Sequence, residues 1–203
     1  MNTKDCYKIY LIGIGGQGTI KTATIIGEAA MAQGLNVVMS EVHGMAQRGG
    51  TVITEIKIGK AESPLIEKNA ADLILAFEPS ELLRTLDKIG KDTFIITTSS
   101  AIIPFTVSLG ISKYPDKTKI FDRIKQEIDN LYVIDAEKLA KEAGSLISAN
   151  IVILGAALSV DEFPIEKKNI LESIRKNLPA KTIDINIKAL DLGFKEAFSS
   201  QVN

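Results

Sequence analysis

The chain has one cysteine, Cys6, and one histidine, His43, among 203 residues, and each scarcity excludes a class of chemistry. A disulfide within the chain is impossible. An iron–sulfur cluster held in the usual way takes about four cysteine thiolates, and structural zinc takes several Cys or His ligands. A metal-based redox centre working with this chain therefore belongs to a partner, and no metal site is expected here. Cys6 itself opens the first apolar run and reads as a small core residue rather than a reactive thiol. Charge of one sign is also lacking: 24 basic and 25 acidic residues leave a formal net charge of -1, without the basic stripe of a nucleic-acid surface. No apolar run approaches the roughly 20 residues needed to cross a bilayer. Met1-Asn2-Thr3-Lys4-Asp5 lacks the apolar stretch of a signal peptide. The expectation is a cytoplasmic protein with no nucleic-acid or membrane partner.

Neither an internal repeat nor a low-complexity linker breaks the chain, and 45% hydrophobic residues suffice for one sizeable core. Residues 7–12, rich in aromatic and β-branched side chains, read as a buried strand that stops at a glycine cluster. From Gly18 to about Gln33 there is no proline, small and apolar residues recur at Ile20, Ala23, Gly27, Ala30 and Met31, and Gly34 supplies the stop of a helix. Residues 36–42 and 51–58 give two more strands. Only about eight residues separate them, while a parallel crossover needs roughly a dozen or more, so the second of the pair is expected to run antiparallel. Residues 72–77 form an apolar run of the kind buried on both faces of a parallel sheet, followed by a helix from Glu78 through about Lys88. Residues 93–97 and 131–135 repeat the strand pattern. Pro104, Gly110 and Pro115 mark 99–119 as irregular.

Beyond Asp135 the pattern is helical, over 136–143, 148–160, 165–178 and 182–198. Ile187, Leu190, Phe194 and Phe198 make a stripe on the last of these. The expected fold is α/β: a modified Rossmann-like open sheet, mostly parallel, with an antiparallel strand after the 43–50 loop and C-terminal helices. Residues 1–203 form a single domain, with 182–203 as a helical arm.

Two stretches carry candidate chemistry. Gly13-Ile14-Gly15-Gly16-Gln17-Gly18 lies between a strand and a helix, where glycines let backbone N–H groups approach a phosphate at a helix N-terminus. Gly13, Gly15 and Gly18 fit the dinucleotide fingerprint, and Glu41 ends the next strand about where a ribose-binding carboxylate would stand. A glycine turn that merely packs helix on sheet is the alternative, and the short connection before the third strand departs from nicotinamide enzymes.

Ser40-Glu41-Val42-His43-Gly44-Met45-Ala46-Gln47-Arg48-Gly49-Gly50 gathers a carboxylate, an imidazole, a carboxamide and a guanidinium in one loop after a strand. Arg48 has the geometry to clamp an anion bidentately, with Gln47 beside it, and His43 to donate to an anion or move a proton. The bland account pairs Glu41 with Arg48 and leaves the loop structural. Glu78-Pro79-Ser80 reads as a helix cap and Ser148-Ala149-Asn150 as a helix start. No Ser/His/Asp arrangement is present.

These two motifs, with Ser63-Pro64-Leu65-Ile66, Leu75-Ala76-Phe77-Glu78-Pro79, Asp135-Ala136, Asn150-Ile151-Val152, Leu154-Gly155-Ala156 and the stretch from Ile187 to Gly193, resemble the gamma-type domain of 2-oxoacid:ferredoxin oxidoreductases over nearly the whole chain. His43-Gly44-Met45 ahead of Gln47-Arg48-Gly49-Gly50 resembles the beta subunit of the indolepyruvate branch. That resemblance implies oxidative decarboxylation of an aryl 2-oxoacid with coenzyme A, giving acyl-CoA, carbon dioxide and reduced ferredoxin. It implies thiamine diphosphate and iron–sulfur clusters in a larger alpha subunit, with ferredoxin met through the complex and coenzyme A as a contact of this chain.

No family catalytic residue transfers. Gly13, Gly15, Gly16, Gln17 and Gly18 are expected as phosphate contacts, Gln47 and Arg48 as anion ligands, and His43 and Glu41 as helpers. The isolated chain is expected to be inactive and able to pair with a second copy. A stand-alone nucleotide binder and a purely structural subunit of another 2-oxoacid oxidoreductase are the rival readings.

Overall fold

The computed structural model describes residues 5–44 and 49–201. Among them, runs of β-branched and aromatic residues form β1 (Cys6–Ile14), β2 (Val37–His43), β3 (Thr51–Gly59), β4 (Ala71–Ala76), β5 (Ile89–Thr98) and β6 (Leu131–Ile134). These make one open sheet in the order β2-β3-β1-β4-β5-β6. β1, β4, β5 and β6 are parallel. β3 runs against both of its neighbours, β1 and β2, as the short link ahead of it requires. Pairing of Ile9 with Ile56 and of Met39 with Ile56 sets the register. Along the central strand β1, Ile9 and Leu11 face one side of the sheet and Tyr10 and Ile12 the other, because successive side chains alternate.

The helices are α1 (Thr19–Ala32), α2 (Phe105–Ser108), α3 (Lys117–Lys125), α4 (Ala136–Ala143), α5 (Ala149–Ala157), α6 (Lys167–Asn177) and α7 (Ile183–Gln201). Ile9 and Leu11 of β1 pack with α1 and α4 to α7 in one core. Tyr10 and Ile12, on the other face, pack with Leu82 and with Ile120 and Ile124 of α3 in a second core. The expected excursion at 99–119 contains the one-turn α2 and the start of α3, which Asp116 caps by accepting from the Thr118 N–H. The helix expected through Lys88 is a 3-10 helix, Pro79–Thr85, because the chain must already turn back into β5 at Ile89.

α5 is buried all round from Asn150 to Ala157, as a helix enclosed on every side must be apolar throughout. α7, expected as an arm, lies along α5. Gly155 and Gly193 let the two backbones meet: a Cβ on Gly155 would overlap the Leu190 carbonyl, and one on Gly193 the Val152 carbonyl. Asn186, Ala189, Leu190, Gly193 and Ala197 face inward, while Phe198 of the expected stripe stays exposed.

β2 is parallel to β1, since both oppose β3. The carboxyl ends of β2, β1, β4, β5 and β6 therefore share one sheet edge. The glycine turn, the 44–50 loop, Phe77-Glu78, Ser99 and Asp135 follow those ends, and in open α/β sheets this is the edge where ligands bind.

Candidate functional site

A cleft of about 560 Å³ opens at this edge, lined by Ile14, Gly15, Gly16, Gly18, Thr19, Lys21, His43, Gly44, Gly50 and Thr51 among others. Local hydrogen bonding explains its shape. The Gly15 N–H donates to the Gly50 carbonyl at 2.9 Å, tying the glycine turn to the hairpin loop, and the Gly44 N–H donates to the Thr51 carbonyl at 2.8 Å, closing that loop at its base. Gly18 begins α1 at φ 78°, a left-handed conformation that side chains disfavour. A Cβ there would also press on Asn150 Nδ2. Asn150 lashes the first turn of α1 to α5 through a 3.0 Å bond to Thr22 Oγ1.

The expected residues divide. Gly15, Gly16, Gly18 and His43 line the cleft. Glu41, exposed on β2, is not among the described residues that do. Gln47 and Arg48 lie outside the described residues.

Gly15 and Gln17, expected as phosphate contacts, have their donors engaged in closing the turn. The Gln17 N–H donates to the Ile14 carbonyl at 3.2 Å. Its side-chain oxygen accepts from the Ile14 N–H at 2.8 Å, and its amide nitrogen donates to the Phe77 carbonyl at 2.8 Å. Gly13 is packed under the same amide: a Cβ would meet Gln17 Oε1 at 2.8 Å and Thr19 Oγ1 at 2.9 Å.

The structure adds two residues to the cleft that sequence reasoning passed over. Thr19 is 3% exposed and its Oγ1 has no hydrogen-bond partner, which is uncommon for a buried hydroxyl. Lys21 supplies a cationic side chain two residues on. Left-handed glycines, the start of a helix, an unpartnered hydroxyl and an ammonium group make a set suited to phosphate oxygens. The signal in the sequence was the Thr-x-Lys that follows Gly18.

Other clefts open at the opposite edge. One is lined by Lys8, Lys57, Glu67 and Asp72. There Glu67 bridges Lys8 at 3.0 Å and Lys57 at 2.9 Å, and hydrogen bonds from Lys57, from its own backbone and from Lys8 hold its carboxyl down at about 2. Those charges are already matched. Among the described residues no grouping of three or more His, Cys, Asp and Glu has metal-binding geometry.

Comparison with known proteins agrees with this fold. A family model described as pyruvate ferredoxin/flavodoxin oxidoreductase matches residues 8–196. The indolepyruvate oxidoreductase subunit IorB of Methanothermobacter thermautotrophicus is 45% identical over 96% of this chain and 99% of its own length. Its counterpart in Archaeoglobus fulgidus is 38% identical over 95% and 96%. The crystal structure of a keto/oxoacid ferredoxin oxidoreductase gamma subunit from Geobacter sulfurreducens superposes with a TM-score of 0.70 at 24% identity, covering 95% of this chain and 99% of that one. At that identity the structural likeness concerns the fold.

Proposed function

This chain belongs to the pyruvate ferredoxin/flavodoxin oxidoreductase family, and from that membership we propose that it is the small subunit of a two-subunit enzyme converting indolepyruvate and related aryl 2-oxoacids, with coenzyme A, into acyl-CoA, carbon dioxide and reduced ferredoxin. The observation that carries the reading is near-full-length identity of 38–45% to subunits named for indolepyruvate oxidoreductase. The larger partner holds the clusters, since one cysteine cannot ligate them. It also holds thiamine diphosphate, which supplies the electron sink for decarboxylation.

This chain contributes binding and orientation. Its cleft meets the partner at the carboxyl edge of the sheet. Gly16, Gly18, Thr19 and Lys21 face the phosphates of coenzyme A, with His43 at the rim and Gln47 and Arg48 completing the loop. The residues fit such a group, because Thr19 Oγ1 is a buried hydroxyl without a partner beside the start of α1.

The test is reconstitution. Tagged chain is recovered from native cells, and a large, cysteine-rich, thiamine diphosphate-containing protein is sought with it. Indolepyruvate-dependent reduction of ferredoxin is then assayed. Recovery without such a partner, or a complex inactive on every aryl 2-oxoacid, sinks the reading. A purely structural role draws on the engaged donors of Gly15 and Gln17. Arg48→Ala separates the two, since a ligand role raises KM with assembly intact and a structural role leaves KM unchanged.

A further inference from the structure

Glu78 is 1% exposed, and a buried carboxylate is costly unless several donors surround it. Among the described residues four groups supply them, and none of the four is a cation. Tyr114 donates its hydroxyl to Oε1, the Ile102 N–H donates to Oε2 at 3.0 Å, Ser80 Oγ donates to Oε1 at 3.3 Å and Gln17 Nε2 lies 3.4 Å from Oε2. Burial, followed by the bond to Glu78, keeps the Tyr114 hydroxyl protonated well above its ordinary range.

One turn further along the same 3-10 helix, Glu81 is 8% exposed. It accepts from Thr51 Oγ1 at 2.9 Å and pairs with Arg84 at 3.0 Å. The segments these two side chains reach are specific. Gln17 belongs to the glycine turn, Thr51 follows the Gly50 carbonyl that holds that turn, and Ile102 and Tyr114 belong to the excursion after β5. Every loop so tied borders the candidate cleft's edge of the sheet. An apolar pair at these positions would pack without the desolvation penalty, but it would lose the side-chain ties to Ile102, Tyr114 and Thr51 and leave the Gly15–Gly50 backbone bond to hold the glycine turn to the hairpin.

We propose that Glu78 and Glu81 are positioning residues of the assembled enzyme: together they bracket the glycine turn, the start of β3 at Thr51 and the 101–114 excursion so that all three meet the reacting partner as one rigid surface. This rests on the subunit reading above.

The experiment compares wild type, Glu78→Gln, Glu81→Gln and Tyr114→Phe, each as isolated chain and in the reconstituted complex. Glutamine keeps one acceptor for Ile102 and Gln17 and turns its amide nitrogen to the Tyr114 oxygen, so the fold persists while charge-assisted ties weaken. Isolated Glu78→Gln shows faster amide exchange in both 13–18 and 101–114, with the opposite edge unchanged. In the complex, the KM for coenzyme A rises about five- to tenfold while kcat stays within about twofold. Glu67→Gln, at the opposite edge, serves as the comparator that loses stability without moving KM.

Unchanged exchange at both loops overturns the proposal. So does an active wild-type complex whose Glu78→Gln and Glu81→Gln forms keep the wild-type KM, or lose activity only in proportion to lost assembly. An inactive wild-type complex overturns the subunit reading and the proposal with it.

Discussion

A buried hydroxyl with nothing to bond costs roughly 1–3 kcal/mol, and Thr19, one of the residues lining the cleft, carries one. Replacing it with valine removes the penalty and keeps the shape. Thr19→Val is expected to leave the isolated chain as stable as wild type or more stable by about 1 kcal/mol, and to raise the KM for coenzyme A severalfold in the assembled enzyme. Urea titration and steady-state kinetics check the two halves. A stability loss would show that the hydroxyl serves the fold instead.

At the opposite edge, Glu67 works the other way. Its carboxyl sits at about 2 in the folded chain, below the ordinary unfolded value near 4.3. A depressed folded value stabilises the fold above the unfolded pKa, and that contribution fades as pH falls from about 4.5 toward about 2. Glu67→Gln should therefore flatten the melting temperature against pH in that window. At neutral pH it should cost at most about 1 kcal/mol, because Glu67 is 62% exposed and solvent screens its pairs with Lys8 and Lys57. A wild-type profile that is already flat below pH 4.5 would contradict this. Glu67 was not legible beforehand, because a glutamate in a polar stretch looks ordinary until distant segments meet, and Thr19 was marked only by the Thr-x-Lys after Gly18. The glycines were legible because a strand, a turn and a helix are local.

Elements follow the same division between local and distant causes. The antiparallel β3 was readable because chain length between strands is a local quantity. α3 was not, because only Ile120 and Ile124 of its nine residues are buried, too few to show a period among charges. α7 was readable as a helix, yet its inward face was displaced from the apolar stripe, because the close approach at Gly155 and Gly193 selects small residues over large ones. That crossing gives a sharp expectation. Gly155→Ala places a methyl on the Leu190 carbonyl, and backbone cannot swing aside as a side chain can. Destabilisation of roughly 3 kcal/mol or more is expected by thermal melting, with the α5–α7 pair exchanging amides first. Gly27→Ala, whose Cβ would meet only Val37 Cγ1 at 3.8 Å, should be neutral or mildly stabilising through helix propensity. Equal costs at the two positions would remove the packing argument.

For the molecule as a whole, topology concentrates the chemistry. Four parallel strands and β2 deliver their carboxyl ends to one edge, while the other edge holds the ion pairs of Lys8, Lys57 and Glu67. After β5 that first edge also carries Ile103, Phe105 and Ile111, which are more than half exposed, and α2 buries none of its residues. A partner that brings the reacting groups must approach this edge to reach the cleft. Hydrogen exchange of the complex against the free chain should then show protection at 13–18, 43–44 and 99–114, with 5–8, 57–72 and 90–93 unchanged. Exchange reads backbone opening, so a partner seated over these loops slows it by closing off their local fluctuations. Protection confined to the Lys57–Glu67 edge would place the partner on the wrong side of the sheet for the cleft to take part in the reaction, and the glycine turn would then be a packing device alone.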